Sequence, residues 1–144
     1  MNNLYMIIDN KMIDWTGKTI LVAEDIPVNY LLIEAILKST NARLIWARNG
    51  KEAVETCMTN DAIDLVLMDI KMPEMNGIEA TRQIRQHRKH LPIIAQTAYS
   101  MNDEETNIME AGCSRVLIKP LMPELIIRAL RPYLEQDKNL KSTG

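Results

Sequence analysis

The sequence predicts a doubly wound α/β domain, in which a parallel sheet carries helices on both faces. Short β-rich runs alternate along the chain with longer segments of helical periodicity. Most of the β-rich runs are continuously apolar, which is typical of strands buried on both faces of a parallel sheet. Right-handed crossovers between successive parallel strands then place helices on both sides.

Five strands and five helices are predicted in alternation. The strands span residues 19–23, 43–46, 63–68, 93–97 and 115–118. The second strand has the weakest apolar run, and we expect it at an edge of the sheet. The helices follow from apolar stripes at helical spacing, with Pro27 and Pro123 placed in the first turns of the first and last helices and Gly112 at the end of the fourth.

Length and composition indicate a single globular domain. The chain has 144 residues with a formal net charge of −2, which argues against general nucleic-acid binding. It contains no apolar run of membrane-spanning length, and its start lacks the features of a secretory signal peptide. The two cysteines stand far apart, without metal-ligand spacing, as in reduced thiols of a cytosolic protein. We therefore expect a cytoplasmic location.

The predicted domain covers residues 18–135. Residues 1–17 form an N-terminal linker or extension and residues 136–144 a C-terminal tail. The run LYMII within the first segment is consistent with a short extra strand or with a linker, and the sequence leaves both open.

Polar side chains stand at the ends of four predicted strands. The residues are Glu24 and Asp25, Asp69, Thr97, and Lys119. Because the carboxyl ends of parallel strands share one edge of the sheet, where ligands of open α/β sheets bind, we expect these residues to converge. Each residue alone is commonly a cap or turn residue, but their joint occurrence favours a functional site.

Three converging carboxylates need compensation. Close pairs repel by several kcal/mol at an effective dielectric of about 20, so either a proton is shared or a cation binds among them. Oxygen-only ligands favour a hard ion such as Mg²⁺. With Lys119 and Thr97 nearby, the set resembles a cradle for a phosphoryl group beside a carboxylate nucleophile.

Four segments, ILVAED, LVLMDIKMPEMNG, PIIAQTA and LIKP, resemble the receiver domains of two-component response regulators (CheY-like). The resemblance covers residues 18–134. It implies a flavodoxin-like sheet with strand order 2-1-3-4-5. The lead-in and the AQTAY run are similar to receivers at the carboxyl end of hybrid sensor histidine kinases. An excised receiver of that kind and a stand-alone regulator both remain open.

The resemblance also implies roles for the acidic residues. Asp69 would be the phosphoacceptor and, with Asp25, a direct ligand of Mg²⁺ or Mn²⁺. Glu24 would reach the metal through water, and the backbone carbonyl of Lys71 would be a further ligand.

Further roles follow from the same resemblance. Lys119, in a cis peptide bond with Pro120, would contact the phosphoryl oxygens. Thr97 would donate a hydrogen bond to the phosphoryl group, and Tyr99 would turn inward with it as a switch residue.

The implied function is Mg²⁺-dependent transfer of a phosphoryl group from a kinase phosphohistidine to Asp69. The partner would be a histidine kinase dimerisation domain or a histidine phosphotransfer domain, without direct nucleic-acid or membrane contact. A weak homodimer through the fourth helix, fifth strand and fifth helix stays open. Any enzymatic chemistry would be limited to the domain's own phosphorylation and dephosphorylation.

Two alternatives remain. One is a receiver-like docking module that is never phosphorylated, although such modules usually lose an acid or the lysine. The other is a phosphohydrolase with an aspartyl nucleophile. Those enzymes typically carry Asp-x-Asp, whereas Lys71 stands at the third position here.

Overall fold

The computed structural model describes residues 6–98 and 102–135 and contains the predicted α/β sandwich. Its strands are β1 (Ile7–Ile8), β2 (Lys11–Met12), β3 (Thr19–Ala23), β4 (Arg43–Ala47), β5 (Leu65–Asp69), β6 (Ile93–Thr97) and β7 (Arg115–Ile118). The last five form one parallel sheet in the spatial order β4-β3-β5-β6-β7. Counted within this sheet, the order is 2-1-3-4-5, so the fold prediction is confirmed, including the edge position of β4.

Of the five α-helices in the described residues, four connect the strands of this sheet and the fifth follows β7. They are α1 (Pro27–Leu37), α2 (Gly50–Thr59), α3 (Gly77–His87), α4 (Asn102–Ala111) and α5 (Pro123–Leu134). The predicted prolines lie in the first turns of α1 and α5, where a missing N–H costs no helical hydrogen bond. The Asn49 and Asn76 side chains cap α2 and α3 by accepting hydrogen bonds from the backbone N–H groups three residues further on.

Two apolar layers enclose the sheet. Alternate residues of β3 belong to different layers: Ile20 and Val22 pack with α1 and α5, whereas Leu21 and Ala23 pack with α2 and α3. All five residues of β3 are buried, as are those of β5 and β6. Burial on both faces explains why these strands read as continuous apolar runs.

The third predicted strand is shifted in the structure. It was expected at residues 63–68, but β5 begins at Leu65 and includes Asp69. The Asp64 carboxylate accepts a hydrogen bond from the Thr19 N–H at 2.8 Å, and the regular register starts only at Ile20 and Leu65. Ile63 is buried but precedes the ladder. The shift makes Asp69 the last strand residue rather than the first loop residue.

The first segment of the chain folds onto the domain. β1 and β2 form an antiparallel hairpin, so part of the ambiguous LYMII run is a strand. Ile8, Ile13 and Trp15 are buried in the layer shared by α1 and α5. The backbone N–H of Trp15 donates to the carbonyl oxygen of Thr40 at 2.6 Å. The described part of the extension therefore contributes to the core.

Within residues 6–98 and 102–135, none of the helices combines the length and apolar character needed to cross a membrane.

Candidate functional site

The carboxyl edge of the sheet brings the predicted acidic residues together. Glu24 and Asp25 follow β3 directly, and Asp69 ends the neighbouring strand β5. One carboxylate oxygen from each of the three lies within 4.8 Å of the others. Parallel strand pairing thus accounts for a cluster in which Asp69 is far in the sequence from Glu24 and Asp25.

The cluster is buried and incompletely paired. Glu24 is fully buried and Asp69 nearly so, whereas Asp25 is half-buried. Oε1 of Glu24 and Oδ1 of Asp25 are buried without a hydrogen-bond partner. Burial raises the pKa of Glu24 to about 7, and the hydrogen bond and negative charge of Asp69 act in the same direction.

Lys119 supplies a positive charge from the other side of the site. Its Nζ lies 3.4 Å from Oδ1 of Asp69 and 3.7 Å from Oε1 of Glu24. Its backbone N–H donates to the Thr97 carbonyl oxygen at 2.8 Å, which extends the β6–β7 ladder to this residue. The Lys119–Pro120 peptide bond is cis.

The donor set fits a hard divalent cation. The Lys119 ammonium contacts two of the three carboxylates, and buried oxygens of Glu24 and Asp25 have no hydrogen bond. Uncompensated buried charge is costly, and carboxylate oxygens are the ligands that Mg²⁺ prefers in proteins. Glu24, Asp25 and Asp69 are the residues that could hold such an ion.

A comparison with family models identifies this arrangement. Residues 20–131 match the model described as the response regulator receiver domain. The chain belongs to the response regulator receiver family. It is 32% identical over 119 residues to the polar-differentiation response regulator DivK of Brucella anthropi, covering 81% of this chain and 96% of DivK.

Solved structures agree with the receiver assignment. The receiver domain of sensor histidine kinase PA1611 from Pseudomonas aeruginosa superposes with a TM-score of 0.78 at 34% identity, over 84% of this chain and 100% of that one. The PA1611 receiver has a magnesium ion coordinated in its active-site cleft. The receiver domain of Ssk1 from Saccharomyces cerevisiae, solved with the histidine phosphotransfer protein Ypd1, shares the fold at a TM-score of 0.77 and 24% identity, over 83% of this chain and 90% of that one. This chain is therefore a two-component receiver domain.

Thr97 of the receiver domain occupies the expected position but has a partner that sequence reasoning missed. The residue is 2% exposed at the end of β6, and its hydroxyl donates to Oε1 of Glu104 on α4 at 3.0 Å. No motif in the sequence links these two residues, because the contact depends on how α4 packs. The predicted switch residue Tyr99 lies outside the described residues.

The loop after Asp69 is folded tightly against the strand end. The Gly77 N–H donates to the Ile70 carbonyl oxygen at 2.8 Å, and a Cβ at Gly77 would collide with the Asp69 carbonyl oxygen. This close approach requires glycine at the start of α3. Lys71 lies exposed in this loop, and the role of its carbonyl as a metal ligand stays a prediction.

Two further residues near the receiver site were not singled out from the sequence. The indole N–H of Trp46 donates to the carbonyl oxygen of Glu24 at 2.8 Å. Gln96 is fully buried beside Thr97, with neither its amide nitrogen nor its amide oxygen hydrogen-bonded. A polar residue inside the apolar run PIIAQTA was a signal for Gln96, whereas the sequence contains no signal for the bond of Trp46.

Proposed function

We propose that this receiver domain accepts a phosphoryl group on Asp69 from a phosphohistidine of a partner protein, in a reaction that depends on Mg²⁺ or Mn²⁺. The observation that carries the proposal is the grouping of Asp69 with Glu24 and Asp25 within 4.8 Å, with the Lys119 ammonium 3.4 Å from Asp69. A structural carboxylate at a strand end would not require two more acids and a lysine around it.

Each residue has a chemical role in this reaction. An oxygen of Asp69 attacks the phosphorus, the P–N bond to the histidine breaks, and its electron pair returns to the imidazole ring. Lys119 lies where it can stabilise negative charge on the transferred oxygens. Thr97 would donate to the phosphoryl group after its hydroxyl leaves Glu104. A cation held by Asp25, Asp69 and Glu24 would neutralise further negative charge, with the Lys71 carbonyl as an additional ligand.

The phosphohistidine would be presented by a kinase dimerisation domain or a histidine phosphotransfer protein. The Ssk1 receiver, which shares the fold, was solved in complex with such a protein. On α1, which begins three residues after Glu24, the side chains of Val28, Leu31 and Leu32 are 68%, 56% and 54% exposed. A partner covering these apolar side chains would lie next to Asp69.

Other expectations belong to the same proposal. The domain would act in the cytoplasm, without binding nucleic acid directly, and its chemistry would be restricted to its own aspartate. A weak homodimer through α4, β7 and α5 stays a prediction, supported by Met109 and Ile118, which are 45% and 50% exposed.

The test is phosphorylation of the purified domain by acetyl phosphate, followed by intact mass, with and without Mg²⁺. We expect an alkali-labile gain of one phosphoryl group that requires Mg²⁺ and disappears in Asp69→Asn. Asp25→Asn should need much more Mg²⁺ for the same extent of reaction. Asp61→Asn, which alters an exposed acid before β5, should react like the wild type and serves as the matched control.

A second donor separates the remaining alternatives. If acetyl phosphate fails, a phosphorylated histidine phosphotransfer protein is used in the same assay. A domain that binds Mg²⁺ but accepts phosphoryl from neither donor would contradict the proposal and favour the docking module. A phosphohydrolase would instead release phosphate from many monoesters with turnover. The exposed Lys71, which stands where such enzymes carry a second acid, argues against that activity.

A further inference from the structure

The edge strand contributes a side chain to the loop that carries two of the three acids. Trp46 lies on β4, and its indole N–H donates to the backbone carbonyl oxygen of Glu24 at 2.8 Å. The Glu24 N–H donates to the Ala47 carbonyl oxygen at 2.9 Å, at the end of the β3–β4 ladder. Both backbone groups of Glu24 are therefore held by β4, one through the main chain and one through an indole.

The indole is itself fixed by aromatic packing. Trp46 stacks on Tyr30 of α1 with ring centroids 4.2 Å apart and planes 6° from parallel. The guanidinium carbon of Arg48 lies 4.5 Å from the indole centroid. Tyr30 is buried, and α1 begins immediately after the acidic loop. The stack joins β4 to α1. Together with the indole bond to Glu24, it holds both ends of the connection between β3 and α1.

We propose that Trp46 is a positioning residue for the cation site. Its N–H fixes the Glu24 carbonyl and with it the peptide that joins Glu24 to Asp25. The two carboxylates are thereby kept beside Asp69 although the three repel one another in the absence of a cation. Because the loop with Glu24 and Asp25 is ordered before the cation binds, binding carries no further entropic penalty for ordering it. The affinity of the site for the cation is therefore higher.

This inference rests on the proposed function, since it concerns the affinity of the same site for Mg²⁺. The chain offers a matched pair of variants because it contains two tryptophans. Trp46→Phe retains a ring that can stack on Tyr30 but loses the N–H. Trp15→Phe also replaces an indole, but the Trp15 Nε1 is buried without a hydrogen-bond partner, and Trp15 lies in the layer with α1 and α5.

The first measurement is calorimetric titration of Mg²⁺ into the wild type and both variants at a temperature where each is folded. Loss of one hydrogen bond predicts a dissociation constant that is about three- to tenfold higher for Trp46→Phe. Trp15→Phe should bind Mg²⁺ as the wild type does. If removing any indole had a general effect, Mg²⁺ binding would be weakened equally in both variants.

The second measurement uses fluorescence, and its main arm, Trp15→Phe, retains Trp46 and therefore does not depend on how well Trp46→Phe folds. In Trp15→Phe the tryptophan emission comes from Trp46 alone, and we expect it to change on saturation with Mg²⁺. In Trp46→Phe the remaining emission, from Trp15, should not respond. Silent emission in Trp15→Phe, or an unchanged Mg²⁺ affinity in Trp46→Phe, would overturn the inference.

The two proposals fail in different ways. If the wild type is phosphorylated with Mg²⁺ dependence while Trp46→Phe binds Mg²⁺ normally, only the role of Trp46 is refuted. If the wild type binds no Mg²⁺, both proposals are refuted.

Discussion

The Lys119 ammonium lies 3.4 Å from Oδ1 of Asp69, although fifty positions separate them in the sequence. Asp69 ends β5 and Lys119 follows β7, so the lysine side chain extends across the end of the intervening strand β6. The same ammonium is 3.7 Å from Glu24. A single ammonium shared between two buried acids leaves the cluster negative, which favours the binding of a divalent cation.

Replacing Lys119 tests its role in transfer. Lys119→Met removes the charge while keeping an apolar stem of similar length. We expect the rate of phosphorylation by acetyl phosphate to fall by about 10²–10³-fold, as is typical when one stabilising donor is removed from a reaction centre. Mg²⁺ affinity should be retained or increased, because the competing ammonium is gone. Intact-mass time courses and Mg²⁺ titration measure the two effects.

The control for this variant is Lys51→Met, which removes an exposed lysine from the first turn of α2. It should be phosphorylated at the wild-type rate. A Lys119→Met protein that reacts as fast as the wild type would show that the ammonium takes no part in the transfer.

The positions of Glu24, Asp69 and Lys119 were predictable because strand topology alone determines them. Continuous apolar runs identified the buried strands, and parallel pairing brings their carboxyl ends to one edge. The strand order itself came from the family resemblance and not from the apolar pattern. The error at residues 63–68 arose because Ile63 is apolar and buried yet precedes the ladder.

Other features depend on tertiary contacts that have no local signature. The bond from Thr97 to Glu104 requires the observed packing of α4, and the bond from Trp46 to Glu24 requires the observed β3–β4 register. The hairpin strands Ile7–Ile8 and Lys11–Met12 have two residues each, which is too short for any periodicity to be recognised.

Gln96 is predicted to reduce stability. It is fully buried in β6, and neither atom of its carboxamide has a hydrogen-bond partner. Burying an unpaired amide costs about 1–3 kcal/mol by mutational measures. We therefore expect Gln96→Leu to raise the free energy of unfolding by about 1–3 kcal/mol in urea denaturation.

The matched control is Gln86→Leu on the exposed face of α3, which should change the free energy of unfolding by less than about 0.5 kcal/mol. A cavity of about 380 Å³ borders Gln96 and is lined also by Glu24 and Lys119. If Gln96→Leu proves destabilising, the amide is paired with ordered water in that cavity, contrary to the prediction.

The described N-terminal segment before β3, which contains the hairpin and Trp15, is predicted to belong to the folding unit. Trp15 is 1% exposed and packs in the layer with α1 and α5, so Trp15→Ala should lower the free energy of unfolding by about 3–5 kcal/mol. Met12→Ala, in the hairpin of the same N-terminal segment but 53% exposed, should change it by less than about 0.5 kcal/mol. Urea denaturation of both variants measures the difference. A large loss of unfolding free energy in Trp15→Ala would mean that the folded domain begins before residue 18. A loss below about 1 kcal/mol would instead make residues 1–17 a dispensable extension.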